Sequence, residues 1–373
     1  MTETLVREKR PTAADIVATI RDAGVAGAGG GGFPTYSKWE RTDEVDALLM
    51  NHQESEPNYF IDKWLGREHA TAFASLFEFL LDEVLDVVVV SAKYKDRDHL
   101  RALERLTGGV VYSPDQLPVD HTEESGVVFA YTDNTYQYGM ESVLLNVVAD
   151  TVVGDGLPMD HGWLVQNTET LYNVSRAWTE RTPVTRTYVH VGGNVPQHRF
   201  LDVPVGTPAQ TLLEAAGISK DGLAPDSVLV TGGPGWCFPV DGGPEAFGVR
   251  KHTNCLMVLD SATVDQYTLG GDRIDVLEAT DWTERAFETE PSERIEPETV
   301  HVPLVTNPDI GVVEPSEPTV AVGETVETGD RIADPSATGV SIPQHASVDG
   351  SVVAVEETSI TIQAEQPQNS ELL

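Results

Sequence analysis

Along the first half of the chain, apolar positions alternate between helical stripes and short unbroken runs. Residues 12–23 carry Ile16, Val17 and Ile20 on one stripe and stop at Gly24, which predicts a helix with a glycine terminator. Residues 86–90, rich in Val and ended by Ser91, and residues 127–131 predict buried parallel strands. Residues 100–106, 141–148 and 169–178 read as helices. This alternation predicts an α/β domain up to about residue 180. Arg181-Thr182-Pro183 reads as a boundary. Beyond it, strands are expected over 185–191, 200–205 and 227–231. A short amphipathic helix over 209–216, ended by Gly217, lies between the second and third. Strand–strand–helix–strand at this size suggests a β-grasp module. Residues 260–300 are acidic and weakly patterned, and read as a connecting segment. From Val300 onward, short Val/Ile strands alternate with turns at Val322-Gly323, Thr328-Gly329-Asp330 and Asp349-Gly350, an all-β pattern. The tail after Gln363 reads as frayed.

At 373 residues the chain exceeds one ordinary core, and 40% apolar content suffices for two or three. Charge adds a strong constraint. There are 60 acidic against 24 basic residues, seven of the latter Lys, for a formal net charge of −36. Such an excess either forms a docking face for a basic partner or keeps the protein soluble in molar salt. It is spread along the whole chain, so a halophilic protein is expected. Nucleic acid is excluded as a partner by the lack of a basic patch. The charged first ten residues carry no secretory signal, and no apolar run is long enough to cross a bilayer. The expectation is a cytoplasmic protein, with a peripheral seat on the inner face of a membrane left open. Cys237 and Cys255 are too few for a disulfide framework, and the ten scattered His give no metal constellation.

Four segments carry candidate chemistry. The tract Gly27-Ala28-Gly29-Gly30-Gly31-Gly32-Phe33-Pro34-Thr35, with Lys38 and Trp39 following, lets bare backbone N–H groups approach a phosphate or a flat ring. It lacks the spacing and the preceding strand of a dinucleotide fingerprint, and a flexible linker is the plainer alternative. In Asn51-His52-Gln53-Glu54-Ser55-Glu56-Pro57, Asn51 can bond a ring edge, and Glu54 and Glu56 can accept from ribose or amide donors. An acidic turn explains the same residues. Gly139 and Glu141 open a helix, and Asn167-Thr168-Glu169-Thr170 opens another, with Thr168 as its candidate cap.

Taken in this order, the segments resemble the flavin-binding fold of the NADH-binding subunit of respiratory complex I. They are closer still to the C subunit of the Rnf complex and to cobalamin reductase. The Gly-Phe-Pro-Thr loop with its Lys, the Asn-x-x-Glu-x-Glu-Pro stretch, the Gly-x-Glu turn and the Val-x-Asn-x-x-Thr helix start are all present. Gly156-Leu157-Pro158 resembles the Gly-Leu-Pro segment of the latter two. Gly192-Gly193-Asn194 to Thr207-Pro208 resembles the family's soluble-ligand-binding β-grasp module. His345-Ala346-Ser347 with Asp349-Gly350 resembles its barrel-sandwich hybrid module. The resemblance covers roughly residues 12–360.

It implies an N-terminal FMN/NADH-binding α/β domain (1–182) and a β-grasp module (183–260). An acidic segment (261–299) would replace the iron–sulfur region, and a barrel-sandwich module (300–373) would follow. It implies FMN against the glycine loop, held by Gly27, Gly29, Gly30, Gly31 and Gly32, with its phosphate near the Asn167–Thr168–Thr170 helix start. NADH would stack over the flavin ring, with Phe33 and Lys38 contacting its adenosine and phosphate end, and Thr35 belongs to the same cofactor-binding set. Asn51, Glu54, Glu56, Gly139 and Glu141 would orient ring, ribose or nicotinamide groups. The family's Cys-x-x-Cys-x-x-Cys motifs are absent after Asn254-Cys255. A cubane cluster needs four thiolates, so no iron–sulfur cluster is expected, and electrons would pass directly to a flavoprotein, a ferredoxin or a corrinoid protein. Residues 300–373 contain no Lys, so a lipoyl or biotinyl carrier is excluded. Two further readings stay open. One is a non-catalytic scaffold or ligand-binding subunit of an electron-transfer complex, favoured by Gln53 where complex I relatives have Asp. The other is a corrinoid-binding or corrinoid-reducing protein.

Overall fold

The computed structural model describes residues 12–57, 59–240, 242–279, 281–282 and 288–365. The leader reading of residues 1–10 lies outside this range, as do residues 366–373 of the expected frayed tail.

A five-stranded parallel sheet organises the first half: β1 (Ala47–Asn51), β2 (Val87–Lys93), β3 (Val110–Tyr112), β4 (Gly126–Thr132) and β5 (Trp163–Asn167), in the order β3-β4-β2-β1-β5. Every residue of β1 and β2 is buried, the mark of a sheet covered on both faces. Side-chain alternation divides the two cores. Leu48, Met50, Val88, Val90 and Leu164 face α1 (Ala13–Asp22), α2 (Thr35–Trp39), α3 (Ile61–Glu68), α4 (Ala70–Glu83), α5 (Arg101–Thr107) and α7 (Thr168–Glu180). Ala47, Leu49, Val87, Val89 and Val165 face α6 (Glu141–Ala149). The chain leaving β1 therefore turns to one face, and the chain leaving β4 turns to the other. Such a switch opens a crevice outside the carboxyl ends of the strands. Asn51 at the end of β1 lies in register with Asn167 of β5 and Ser91 of β2.

Two expected boundaries shift. The strand expected to end at Ser91 continues to Lys93, because β4 pairs with it through Thr132. The helix at 169 begins at Thr168 and is capped by Asn167, not by Thr168.

The second sheet contains β6 (Arg186–Gly193), β7 (Arg199–Pro204), β8 (Ser227–Gly233), β9 (Trp236–Pro239), β10 (Cys255–Asp260) and β11 (Glu293–Arg294), ordered β11-β7-β6-β10-β8-β9. Helix α8 (Ala209–Ala215) packs its Leu212 and Leu213 on it. Residues 261–299, read from sequence as a connecting segment, are in their described part built into this unit. Helix α9 (Ser261–Tyr267) follows β10, Ile274 bridges to Cys237, and Trp282 is buried beside Val276. Strand β11 pairs with β7. These anchors are single residues buried by distant partners, so they leave no local period to read. Seven short strands between Thr299 and Ala364 form the last unit, closed over Val300, Val302, Ile332, Ile360 and Ile362.

Candidate functional site

The glycine tract leaves α1 at Gly24 and doubles back, with Gly27 N–H donating to Phe33 O at 2.8 Å and Gly32 N–H to Gly27 O at 2.7 Å. Positive φ at Gly29 (67°), Gly30 (98°) and Gly32 (68°) makes this turn, a region costly for any residue with a Cβ. Its inner side lies on the start of α7. Thr170 Oγ1 accepts from Ala28 N–H at 2.9 Å, and an added Cβ at Gly29 would come within 3.2 Å of Asn167 Nδ2. Its outer side is open: Gly29, Gly30 and Gly31 are exposed, and nothing lies within 4 Å of a Cβ placed on Gly30. Among the described residues, no protein group accepts from Gly29 N–H or Gly31 N–H.

Several of the other expected side chains bond to one another around the ends of β1 and β5. Lys38 on α2 donates to Glu141 at 2.7 Å, and to Val165 O at 3.3 Å. Asn51 Nδ2 donates to Gly139 O at 2.9 Å, and Gly139 must be glycine there because a Cβ would strike Ser55 Oγ. Thr168 Oγ1 donates to Asn51 O at 3.2 Å and lies 2.9 Å from His52 Nδ1. Asn167 Oδ1 accepts from the N–H groups of Glu169 and Thr170, while its Nδ2 donates to both oxygens of Asp62 at 3.1 and 3.2 Å. Thr35 is buried, and its hydroxyl has no partner. Phe33 is half-buried at the close of the loop.

Two carboxylates take places other than the ones expected. Glu54 Oε2 accepts from Asp62 N–H at 2.8 Å, at the start of α3. Glu56 reaches away from the loop, accepting from Tyr136 Oη at 2.6 Å and from Gly235 N–H at 3.0 Å in the β8–β9 turn. Burial raises Glu56 to about 7, against the lowering effect of these two bonds.

Sequence reasoning missed a buried polar group under the site. Asp62 is pushed well up by burial, then by the neighbouring Glu54 and Glu169. Glu54 is also raised, by burial, with Lys63 and Lys93 pulling it back. Lys93 donates to Glu54 O at 3.2 Å and is lowered by burial to about 8. Gln53 ties the strand ends together, donating to Ser91 Oγ at 3.1 Å and Thr132 Oγ1 at 3.2 Å. No spacing in the sequence marks this cluster; its members come from four elements.

Cys237 and Cys255 are free and buried in the core beside Tyr59 and Met257, and burial pushes the Cys237 thiol up to about 12. No group of three or more potential metal ligands occurs among the described residues, and none of their helices could cross a membrane.

Comparison with known proteins matches two segments of the chain. Residues 20–176 match the model of the Nuo51 FMN-binding domain, and residues 287–369 that of the RnfC barrel sandwich hybrid domain. The cobalamin reductase PduS of Salmonella typhimurium is 28% identical over 60% of this chain and 45% of its own length. The C subunit of the ion-translocating oxidoreductase complex of Pseudomonas aeruginosa is 30% identical over 66% of this chain and 30% of its own. The chain thus spans less than half the length of these two relatives. Among solved structures, an NAD+-reducing nickel–iron hydrogenase shares the fold, with a TM-score of 0.52 at 23% identity over 68% of this chain and 48% of that one.

Proposed function

We propose, for a chain that belongs to the family of the Rnf C subunit, cobalamin reductase and the complex I NADH-binding subunit, that it carries electrons between NAD(H) and a separate acceptor through FMN. One observation carries the reading: two backbone N–H groups, at Gly29 and Gly31, lie on an exposed loop without a protein partner, inside the segment that matches an FMN-binding domain. Two free N–H groups on an ordered, solvent-facing turn beside the strand ends form a concave donor surface that suits an anionic ligand.

The residues fit FMN with one revision. The N–H groups of Glu169 and Thr170 are taken by Asn167, and Ala28–Gly29 cover the start of α7. The expected phosphate seat on α7 therefore moves to the loop, where Gly29 and Gly31 would hold the cofactor with Lys38. Asn51, Glu54, Asp62, Gly139, Glu141, Asn167, Thr168 and Thr170 shape the floor and fix the loop. Bound FMN would supply a ring that accepts hydride and releases electrons singly. The protein's part is to hold the loop amides rigid, to weaken the acidity of Glu54 and Asp62 by burial, and to balance Lys38 against Glu141.

We assign residues 1–182 to the cofactor, residues 183–260 to a β-grasp module of the soluble-ligand-binding type, and 300–373 to the barrel-sandwich module. The two cysteines cannot ligate a cubane, so electrons leave to a docked protein: a flavoprotein, a ferredoxin or a corrinoid protein. A peripheral place on a membrane complex accords with the Rnf relatives. The capped α7 start favours a second reading, a scaffold that has lost its flavin. The test is the absorbance spectrum of protein purified in molar salt, before and after anaerobic NADH. A flavin band that bleaches supports the proposal. A colourless protein that binds neither FMN nor NADH leaves the scaffold.

A further inference from the structure

We propose that the other two units of the fold hold the cofactor loop in shape, with Asn307 as its positioning residue and His252 and Lys251 as companion anchors. The inference rests on the FMN reading for its functional meaning, and on contacts for its geometry.

Asn307, just past β12 (Thr299–Pro303), donates from Nδ2 to Gly31 O at 2.9 Å. Gly30 N–H donates to His252 O at 3.0 Å, and Lys251 Nζ to Gly24 O at 2.8 Å. The approach is close enough to require glycine. A Cβ on Gly32 would lie 2.6 Å from Asn307 Cβ and 2.7 Å from His252 Nδ1, and one on Gly24 would lie 2.6 Å from Pro343 O.

These bonds select particular peptide planes. The 29–30 plane is fixed by Gly30 N–H on His252. The 31–32 plane is fixed at both ends, by Asn307 on Gly31 O and by Gly32 N–H on Gly27 O. Between them lies the 30–31 plane, which carries the free Gly31 N–H. Four consecutive glycines have the largest conformational freedom a chain offers, and holding them beforehand removes that cost from ligand binding. The inner anchors, Thr170 and Asn167, seat Ala28 and Gly29 only; Gly30 and Gly31 are ordered from outside. The barrel-sandwich unit is thereby part of the cofactor site while touching none of the reacting atoms.

The test uses the full chain in molar salt, with two readouts on Asn307→Ala and Asn307→Asp. Asn307 Oδ1 also accepts from Asp309 N–H at 3.0 Å; the aspartate variant keeps that turn and removes only the donation to Gly31. Hydrogen exchange of the peptide spanning residues 24–34, measured without flavin, should quicken in both variants. The FMN dissociation constant, from fluorescence quenching, should rise about threefold to tenfold in the alanine variant. The rise should be larger with aspartate, whose charge opposes the carbonyl. Exchange and affinity both unchanged in the aspartate variant would overturn the inference and leave the FMN reading standing. Faster exchange in a protein whose wild type binds no FMN would keep the positioning role and sink the FMN reading. A drop in melting temperature with unchanged exchange in the loop would mean a purely structural Asn307 and would also overturn it.

Discussion

Thr170→Val isolates the inner anchor of the glycine loop. The swap keeps the β-branched shape on α7 and removes the hydroxyl that accepts from Ala28 N–H at 2.9 Å. Thr170 is fully buried and Ala28 nearly so, so no water replaces the bond. A buried donor left unsatisfied costs about 1–3 kcal/mol. That cost falls on the folded loop, so the loop leaves its seat in a fraction of molecules, and the apparent FMN affinity drops by that fraction. At the limit where the loop was only just held, the dissociation constant rises by roughly 5- to 150-fold. The assay is a fluorescence titration with FMN in molar salt, paired with a urea melt on the same sample. Thr263→Val, at the start of α9 and bonded only within its own cap, is the control for a lost hydroxyl elsewhere. A urea midpoint lowered by the expected amount with unchanged FMN affinity would refute the reasoning, because the bond would then stabilise the fold without shaping the site.

Gly30→Val should abolish flavin retention and leave the C-terminal sheets folded. No protein atom blocks the new side chain, so its clash is with the ligand and with its own φ of 98°; an unchanged flavin band would remove the loop from the site. Gly108→Val, also at positive φ and in open space, should cost similar strain and keep the flavin. Lys251, lowered by burial from 10.5 to about 7 and facing His345, is neutral in the folded chain and protonated in the unfolded chain between those values. Folding there releases a proton, so between pH 7.5 and 8.5 stability should rise by up to about 1.4 kcal/mol per unit. Urea melts at the two ends of that window should show a rise, and Lys251→Met should reduce it, leaving the share from Lys93, which burial lowers to about 8.

The valine run of β2 and the Val127–Tyr131 core of β4 were legible because a strand buried on both faces must be apolar throughout. Strand β1 was missed, since Ala47-Leu48-Leu49-Met50 suits a helix as well as a strand and only pairing with Val87–Val90 decides it. Helices α3 and α4 went unread although they cover that strand. The glycine tract stood out because only glycine tolerates its positive φ, and the α7 start stood out as a cap, although the capping side chain is Asn167 and not the expected Thr168. Asp62 was not legible, because its meaning comes from Asn167, 105 positions away. Asn307 is further still, 276 positions from the loop it holds, and no local pattern encodes such a bond. Glu54 and Glu56 show the reverse case. Their spacing suggested ligand contacts, and the fold uses one to cap α3 and the other to pin the β8–β9 turn.

A chain with a net charge of −36 faces a physical difficulty in binding a dinucleotide and a flavin phosphate, both anionic. The arrangement around the loop answers it locally. Of the seven lysines in the sequence, Lys38 donates to Val165 O and to Glu141, and Lys63 and Lys93 face Glu54 in the polar group at the strand ends. The nearby acids are muted rather than absent: Glu141 is paired with Lys38, and burial favours the protonated forms of Glu54 and Asp62. The remaining acidic excess lies elsewhere on the surface, where molar salt shortens its reach to a few ångströms. On the proposed reading, salt adaptation and anion binding would occupy separate regions of the same molecule. The scarcity of lysine elsewhere makes the placing of Lys38, Lys63 and Lys93 informative, since a surface adapted to salt gives no reason to keep three of seven lysines near the ends of β1, β2 and β5.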